Sequence, residues 1–445
     1  MKERSYWLAS GSYSILQRLF AFIFGFGSFF FLTRYFPVER FGVWALFIVV
    51  TSLVEMARTA FVQNAFIKYY KEPGLDTDAL FSSSLLINFI STLFFIVILL
   101  VAIPFLVTFW NTEEIGPMIL WYCAASIVLI PFTQLNFLEQ ANHRFKGVFL
   151  GNVTRQGVLF FCILTSFIFF PNLPLSLFSF FYFISTVFGL LVSYYLTRQY
   201  LPTHYVVTSA YLKKLAYFGR YILGTGITSS LGKYFDQFIL GSINLTSVAL
   251  FNASVRIINM IEIPVLSIAN ISYPKFASVN AENSLHEVAR LYEKTVAAAL
   301  AIIIPVVLVI LTLPELVLTI TAGQKYVSVT EPLRIMAAFF ILMPFNVQFG
   351  NVCEIINKPQ ISFRVNLITN ILSVVLNLYF IKIYGAMGAA CVFAFTLLFI
   401  FIVGQLYLRV KLSVNLKNVA VQTALFYKSS FLFLRKIITT KSLDV

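Results

Sequence analysis

What constrains this chain most is a series of apolar stretches, each about 20 residues long, separated by short connections that carry most of its basic residues. An α-helix needs that length to cross the hydrocarbon layer of a bilayer, and inside that layer every backbone N–H and C=O must find its partner within the protein. Spans are expected near 12–34, 41–63, 80–108, 117–138, 149–170, 175–197, 217–240, 247–270, 296–319, 333–355, 361–383 and 386–408. Composition agrees: 59% of the 445 residues are apolar and 11% charged, where a soluble protein carries about a quarter. The expected fold class is all-α integral membrane, with about twelve transmembrane helices and no separate soluble domain.

The formal net charge of +14 does not point to nucleic acid, because the basic residues sit between spans rather than along one face. Lys2, Arg4, Lys68, Arg144, Lys146, Lys213, Lys214, Lys358, Arg409 and Lys411 fall on alternate connections. This predicts that both termini lie in the cytoplasm. No cleavage site follows Lys2 and Arg4, so the first span is expected to be retained. Cys123, Cys162, Cys353 and Cys391 all lie within spans and read as packing thiols. Ser284 and Glu287 match a capping box, so a helix along the interface is expected before the ninth span. A basic interfacial helix is expected in the tail, near 415–438.

A duplication organises the chain. Pro131-Phe132, Glu139-x-x-Asn142 and Thr154 recur as Pro344-Phe345, Glu354-x-x-Asn357 and Thr369. The expected divisions are an N-terminal six-helix lobe at 1–205, a C-terminal six-helix lobe at 206–410 and a tail at 411–445. With six spans each, the halves enter the membrane in one orientation. They are expected as two six-helix bundles related by a pseudo two-fold along the membrane normal, with a substrate path between them.

Enzyme chemistry has little to build on. The sequence contains no P-loop, HExxH, GxSxG or Cys/His cluster, so neither an ATP-driven pump nor a metal or hydrolytic enzyme is expected. Ionisable residues within spans, by contrast, are costly and mark function. Glu55 with Arg58, and Lys233 with Asp236, are three apart and share a helix face, so each pair could neutralise itself as a structural ion pair, which competes with a role in a cavity. Arg18, Arg155 and Arg256 have no counterion on their own helix. Arg18, Arg58, Arg155 and Arg256 are therefore candidates to receive an anionic head group in a cationic cavity. Arg18, Arg334 and Arg364 lie near span ends, where snorkelling to the interface competes with that role. Tyr13, Trp44, Tyr122, Tyr182, Tyr194 and Tyr234 read as packing or interface residues, and Pro131, Pro264, Pro305 and Pro344 as sites of bends.

Glu139-Gln-Ala-Asn-His-Arg-Phe-Lys146, Asn357-Lys-Pro359 and the Tyr384-Gly-Ala-Met-Gly-Ala-Ala390 turn resemble the polysaccharide flippase branch of the multidrug/oligosaccharidyl-lipid/polysaccharide exporter superfamily. The resemblance covers nearly the whole chain. It implies a flippase that moves a polyprenyl-pyrophosphate-linked oligosaccharide, such as an O-antigen repeat unit, by alternating access. The lipid-linked oligosaccharide and membrane lipids would be its partners, polysaccharide polymerase machinery its neighbour, and the monomer its working form. It also implies cavity arginines on the first, second and eighth spans, matched here by Arg18, Arg58 and Arg256. No bound cofactor is implied, though a coupling cation, Na+ or H+, is. Asp236 with Asn370 and Thr396, together with Glu55, are the ion-coupling candidates; Asp236 stands alternatively as the partner of Lys233. Many relatives carry Gly-x-Pro where this chain reads Gly219-Arg220-Tyr221. A multidrug extruder of the same superfamily and a membrane-embedded oligosaccharide polymerase or ligase remain the alternatives.

Overall fold

The structure, a computed structural model, describes residues 2–70, 72, 74–281 and 285–439. Side chains at 2–12, 14–15, 221–231, 233, 274, 277–281 and 430–439 lie outside that description. Among the described residues the chain is helical throughout and has no strand. The helices are α1 (Lys2–Tyr35), α2 (Val38–Tyr69), α3 (Thr77–Trp110), α4 (Ile115–Ala141), α5 (Phe145–Phe169), α6 (Leu175–Thr197), α7 (Ser209–Ile243), α8 (Leu245–Ala281), α9 (Leu285–Thr312), α10 (Pro314–Thr321), α11 (Thr330–Phe340), α12 (Met343–Ile355), α13 (Pro359–Tyr384), α14 (Ala386–Leu412) and α15 (Leu416–Thr439). Among the described residues ten are long and apolar enough to cross a bilayer, and Gln324–Phe340 with Met343–Ile355, bent by 42° to each other, are together long and apolar enough for one more. The protein is thus a multi-pass membrane protein.

Side-chain placement follows from lipid as solvent. On α3 the residues Ile90, Phe94, Val97, Val101 and Phe105, spaced by three or four, are exposed, while Asn88, Thr92, Leu99 and Leu106 are buried on the opposite face. This is an amphipathic pattern turned inside out: the apolar stripe meets hydrocarbon and the polar residues meet other helices.

Caps set the helix starts. Asp76 Oδ1 accepts from Asp78 N and Ala79 N at the start of α3 (2.9 and 3.2 Å), and Asn244 Oδ1 accepts from Thr246 N before α8 (2.8 Å). Left-handed residues set the ends. After α4, His143 (φ 57°) closes a Schellman turn in which Arg144 N donates to Glu139 O (2.8 Å) and His143 N to Gln140 O (3.0 Å). After α12 the same turn recurs at Asn357 (φ 57°), with Lys358 N donating to Cys353 O (2.8 Å) and Asn357 N to Glu354 O (3.1 Å).

The other corners repeat too. Asn111 ends α3 where Gly323 follows α10, and Asn172 follows α5 where Gly385 follows α13, all at positive φ. These three pairs lie 212 (Asn111 to Gly323), 214 (His143 to Asn357) and 213 (Asn172 to Gly385) residues apart. The duplication is therefore written in the backbone. It corrects the sequence alignment by one residue: the turn places Glu139 opposite Cys353 and His143 opposite Asn357, not Glu139 opposite Glu354 and Asn142 opposite Asn357.

Two compact units emerge, residues 1–249 and 250–445. The first extends past residue 205 to include α7, which packs on α2 and α3; Trp110, 2% exposed, donates from Nε1 to Phe238 O (3.2 Å). In the second unit α9, α12, α14 and α15 share a core of Tyr292, Val296, Phe349, Val352, Leu408 and Val419. Here three expectations change. The separate interfacial helix expected before the ninth span is absent among the described residues: Ser284 lies outside them, and from Leu285 the chain runs unbroken through α9, burying Val288 and Tyr292. The ninth span ends at Thr312, and Pro314 starts the short α10. The tenth span is two helices, because Pro344 has no N–H to continue the ladder and instead opens α12. Pro131 and Pro305, by contrast, sit within continuous helices.

The small-residue turn into α14 works as its composition implies. Ala389 and Ala390 are buried, and a Cβ on Gly388 would strike the backbone of Phe380 on α13. Gly388→Leu should therefore destabilise the α13–α14 pair by about 1–3 kcal/mol, read as a lower melting temperature of purified protein in detergent; an unchanged melting temperature would refute this packing.

Candidate functional site

Five helices of the first unit bring polar groups to one place. From α2, Glu55 and Arg58 project one turn apart. From α5 comes Arg155 and from α6 Tyr182; α3 supplies Asn88 and α4 Thr133. The approach of α3 is close because Ser82, Ser83 and Ser84 are small and buried. Room for Arg155 depends on Gly189 of α6, where a Cβ would come within 3.0 Å of Arg155 Cβ and 3.2 Å of the Phe132 ring.

The ion pairing differs from the local one expected. Glu55 does not neutralise Arg58. Its Oε1 accepts from Arg155 Nη1 at 3.4 Å and forms a short hydrogen bond from the Tyr182 hydroxyl. Arg155 also donates to Tyr182 Oη (3.4 Å), and its guanidinium lies 5.5 Å from the Phe132 ring centre. Arg155 thus has a counterion after all, delivered by another helix. The pair is partly buried: the side chains of Arg155 and Glu55 are 18% and 26% exposed, more than that of Arg58.

Arg58 is enclosed, with 1% of its surface exposed. Nη1 donates to Asn88 Oδ1 (3.3 Å) and, at the limit of a hydrogen bond, to Thr133 Oγ1 (3.5 Å). Nε and Nη2 are buried with no partner. Asn88 and Thr133 are themselves well held, Asn88 Nδ2 donating to Thr133 Oγ1 (3.1 Å) and Ile130 O (3.3 Å), and Thr133 Oγ1 to Leu129 O (2.8 Å). Nearby, Tyr122, fully buried, donates to Thr51 O (3.1 Å), and Ser84 bonds Gln134. The ion cluster therefore contains two guanidiniums and one carboxylate. Such an arrangement is costly at membrane depth and is kept where function requires it.

The other candidates fall elsewhere. Arg18 is exposed on α1, as snorkelling requires. Asp236 lies on α7 of the first unit, where Oδ1 accepts from Gln237 N (2.7 Å); Lys233, its expected partner, lies outside the described side chains. In the second unit Arg256 is half-buried on α8 and engaged by its surroundings. Asn370 is half-buried on α13, and Thr396 Oγ1 on α14 donates to Phe393 O (2.7 Å). Arg364 is exposed, and Arg334 pairs with Glu331 of its own helix at 2.5 Å. Among the described residues no cluster of His, Cys, Asp and Glu has the makings of a metal site. Asn88 and Thr133 were not singled out from sequence. The available signal was an amide within the apolar run of α3 and a hydroxyl directly after Pro131-Phe132.

Comparison with known proteins bears on both fold and family. A family profile described as "Polysaccharide biosynthesis protein" matches residues 31–331. The probable low-salt glycan biosynthesis flippase Agl15 of Haloferax volcanii is 22% identical over 169 residues, 37% of this chain. The matched segment spans 36% of that curated relative. Among solved structures, the lipid II flippase MurJ in an inward closed conformation superposes with a TM-score of 0.77 at 12% identity, covering 97% of this chain and 93% of that one. An inward-facing multidrug resistance transporter of the MATE family, in the MOP superfamily, gives 0.74 at 17% identity, with 88% and 94% covered. The fold is the one these transporters share.

Proposed function

We propose, since this chain belongs to the polysaccharide biosynthesis protein family, that it is a flippase that carries a polyprenyl-pyrophosphate-linked oligosaccharide across the cytoplasmic membrane by alternating access. The observation that carries this reading is the charge surplus in the ion cluster of the first unit: Arg58 and Arg155 against Glu55 alone. A pyrophosphate offers a guanidinium the bidentate geometry it prefers. In this scheme the head group competes with Glu55 for Arg155, the more exposed of the two arginines, and Glu55 is the placeholder that keeps Arg155 neutralised when no substrate is bound. Arg58 adds positive potential from behind without needing contact. No covalent step is involved, so the chain acts as a transporter and not as a polymerase or ligase.

The names of its relatives support the substrate class: one is a probable glycan biosynthesis flippase, another a lipid II flippase. Within the ion cluster the one acid, Glu55, is already paired with Arg155 and Tyr182, which leaves no carboxylate there for the cation of a multidrug extruder. Direction would come from the membrane potential or a coupling cation, with Asp236, Asn370 and Thr396 as the residues to test. A ligand shifts the two conformations only by its differential affinity for them. Both termini would lie in the cytoplasm, and the monomer would suffice for transport.

The test is deletion of the chain in its own cells. Lipid-linked repeat units should accumulate on the cytoplasmic leaflet and return to normal on re-expression. Unchanged distribution of those units between leaflets would overturn the assignment.

A further inference from the structure

The second unit holds two adjoining hollows at the corner between α14 and α15. One, of about 730 Å³, is lined by Gln405, Arg409, Ser413, Asn415 and Lys417. The other, of about 530 Å³, is an apolar groove lined by Leu300, Ile304, Phe345, Phe401, Val419 and Tyr427. They share Leu416. A basic, polar hollow beside an apolar one, with Leu416 lining both, suits an amphiphile, and the two volumes lie in the range of ordinary ligand sites, about 300–1,000 Å³.

The corner is built rather than loose. Ser413 takes a left-handed conformation (φ 57°) and its N–H donates to Arg409 O (3.1 Å). Glu293 of α9, 7% exposed, accepts from Asn415 N (2.7 Å) and Asn418 Nδ2 (3.0 Å), which ties the corner to the core. Asn415 Oδ1 then accepts from Lys417 N (2.9 Å), capping α15. Among the described residues no carboxylate lines either hollow, so the charges of Arg409 and Lys417 suit an anionic ligand. Around them the surface is greasy: Leu406 is 60% exposed and Val410 80%. The medium that bathes this corner is therefore bilayer lipid, which supplies the matching chemistry.

We propose that this corner binds an acidic membrane glycerophospholipid, its phosphate on Arg409 and Lys417 and one acyl chain in the groove between α9 and α15. The site is separate from the ion cluster of the first unit and independent of the flippase reading. Glu293 is a positioning residue.

The test uses the delipidated full-length chain in detergent, given dioleoylphosphatidylglycerol, dioleoylphosphatidylcholine or undecaprenyl phosphate, with retained lipid read by native mass spectrometry. The natural chain should retain phosphatidylglycerol roughly tenfold better than phosphatidylcholine, as two interfacial cations warrant. Arg409→Gln with Lys417→Gln should erase that preference while leaving elution and melting behaviour intact. Ala420→Trp, which fills the groove, should lose both phospholipids; if it does not fold, the charge variant decides alone. Equal retention of the two phospholipids by the natural chain, an unaltered preference in the charge variant, or undecaprenyl phosphate displacing phosphatidylglycerol would each overturn the proposal.

Discussion

Arg58→Met should give a protein at least as stable as the natural one that no longer moves its lipid-linked substrate. The side chain is a cation buried to 1% exposure with two of its three nitrogens unpaired, so the desolvation cost relieved by an apolar side chain of similar length offsets the bond to Asn88 that is lost. What Met leaves behind is modest: Asn88 keeps its bonds to Thr133 and Ile130, and only its Oδ1 loses a donor. Glu55 keeps Arg155 and Tyr182. Stability and function should therefore part company at this residue, which is how a functionally retained charge differs from a structural one. Melting temperature and transport measured on the same preparation check it. A large loss of stability would show that Arg58 holds the unit together instead.

Arg155→Gln should fail in the opposite way. It leaves Glu55 with Tyr182 alone, at a position only partly open to solvent, and stranding one member of such a pair costs about 1–3 kcal/mol once screening is allowed for. Transport should fall by at least an order of magnitude, because the more exposed guanidinium is lost. Glu55→Gln alone should also destabilise, since Arg155 then keeps only the Tyr182 hydroxyl as a hydrogen-bond partner. The double variant should recover part of the stability, giving a coupling free energy of about 1–3 kcal/mol in a thermodynamic cycle. Arg155→Lys should restore the charge and the fold but only part of the transport, since an ammonium lacks the planar fork. Additive single and double effects would show that Glu55 and Arg155 do not act as a pair.

Much of this architecture is legible in the sequence because lipid leaves the backbone few choices. Apolar stretches of span length become helices. Short-range rules are where reading fails. The spacing of Glu55 and Arg58 suggests a partnership along α2, yet Arg155 and Tyr182 arrive from α5 and α6 and take Glu55; sequence spacing shows only partners on the same helix. The repeat is detectable from Pro-Phe and Glu-x-x-Asn, but its register is off by one, because what recurs is a left-handed turn and not a side chain. Asn88 and Thr133 did not stand out for a related reason. In a chain with many hydroxyls and amides in its spans, only packing reveals which of them meets a buried cation.

The central claim is that surplus guanidinium charge in the first unit handles the anionic head group. Its most direct test is translocation of a labelled polyprenyl-pyrophosphate oligosaccharide across vesicles reconstituted with the natural chain, Arg58→Met or Arg155→Gln, all shown to be folded. The natural chain should expose the label on the far leaflet, while both variants should stay near protein-free vesicles. Translocation by both variants at the natural rate would contradict the claim outright.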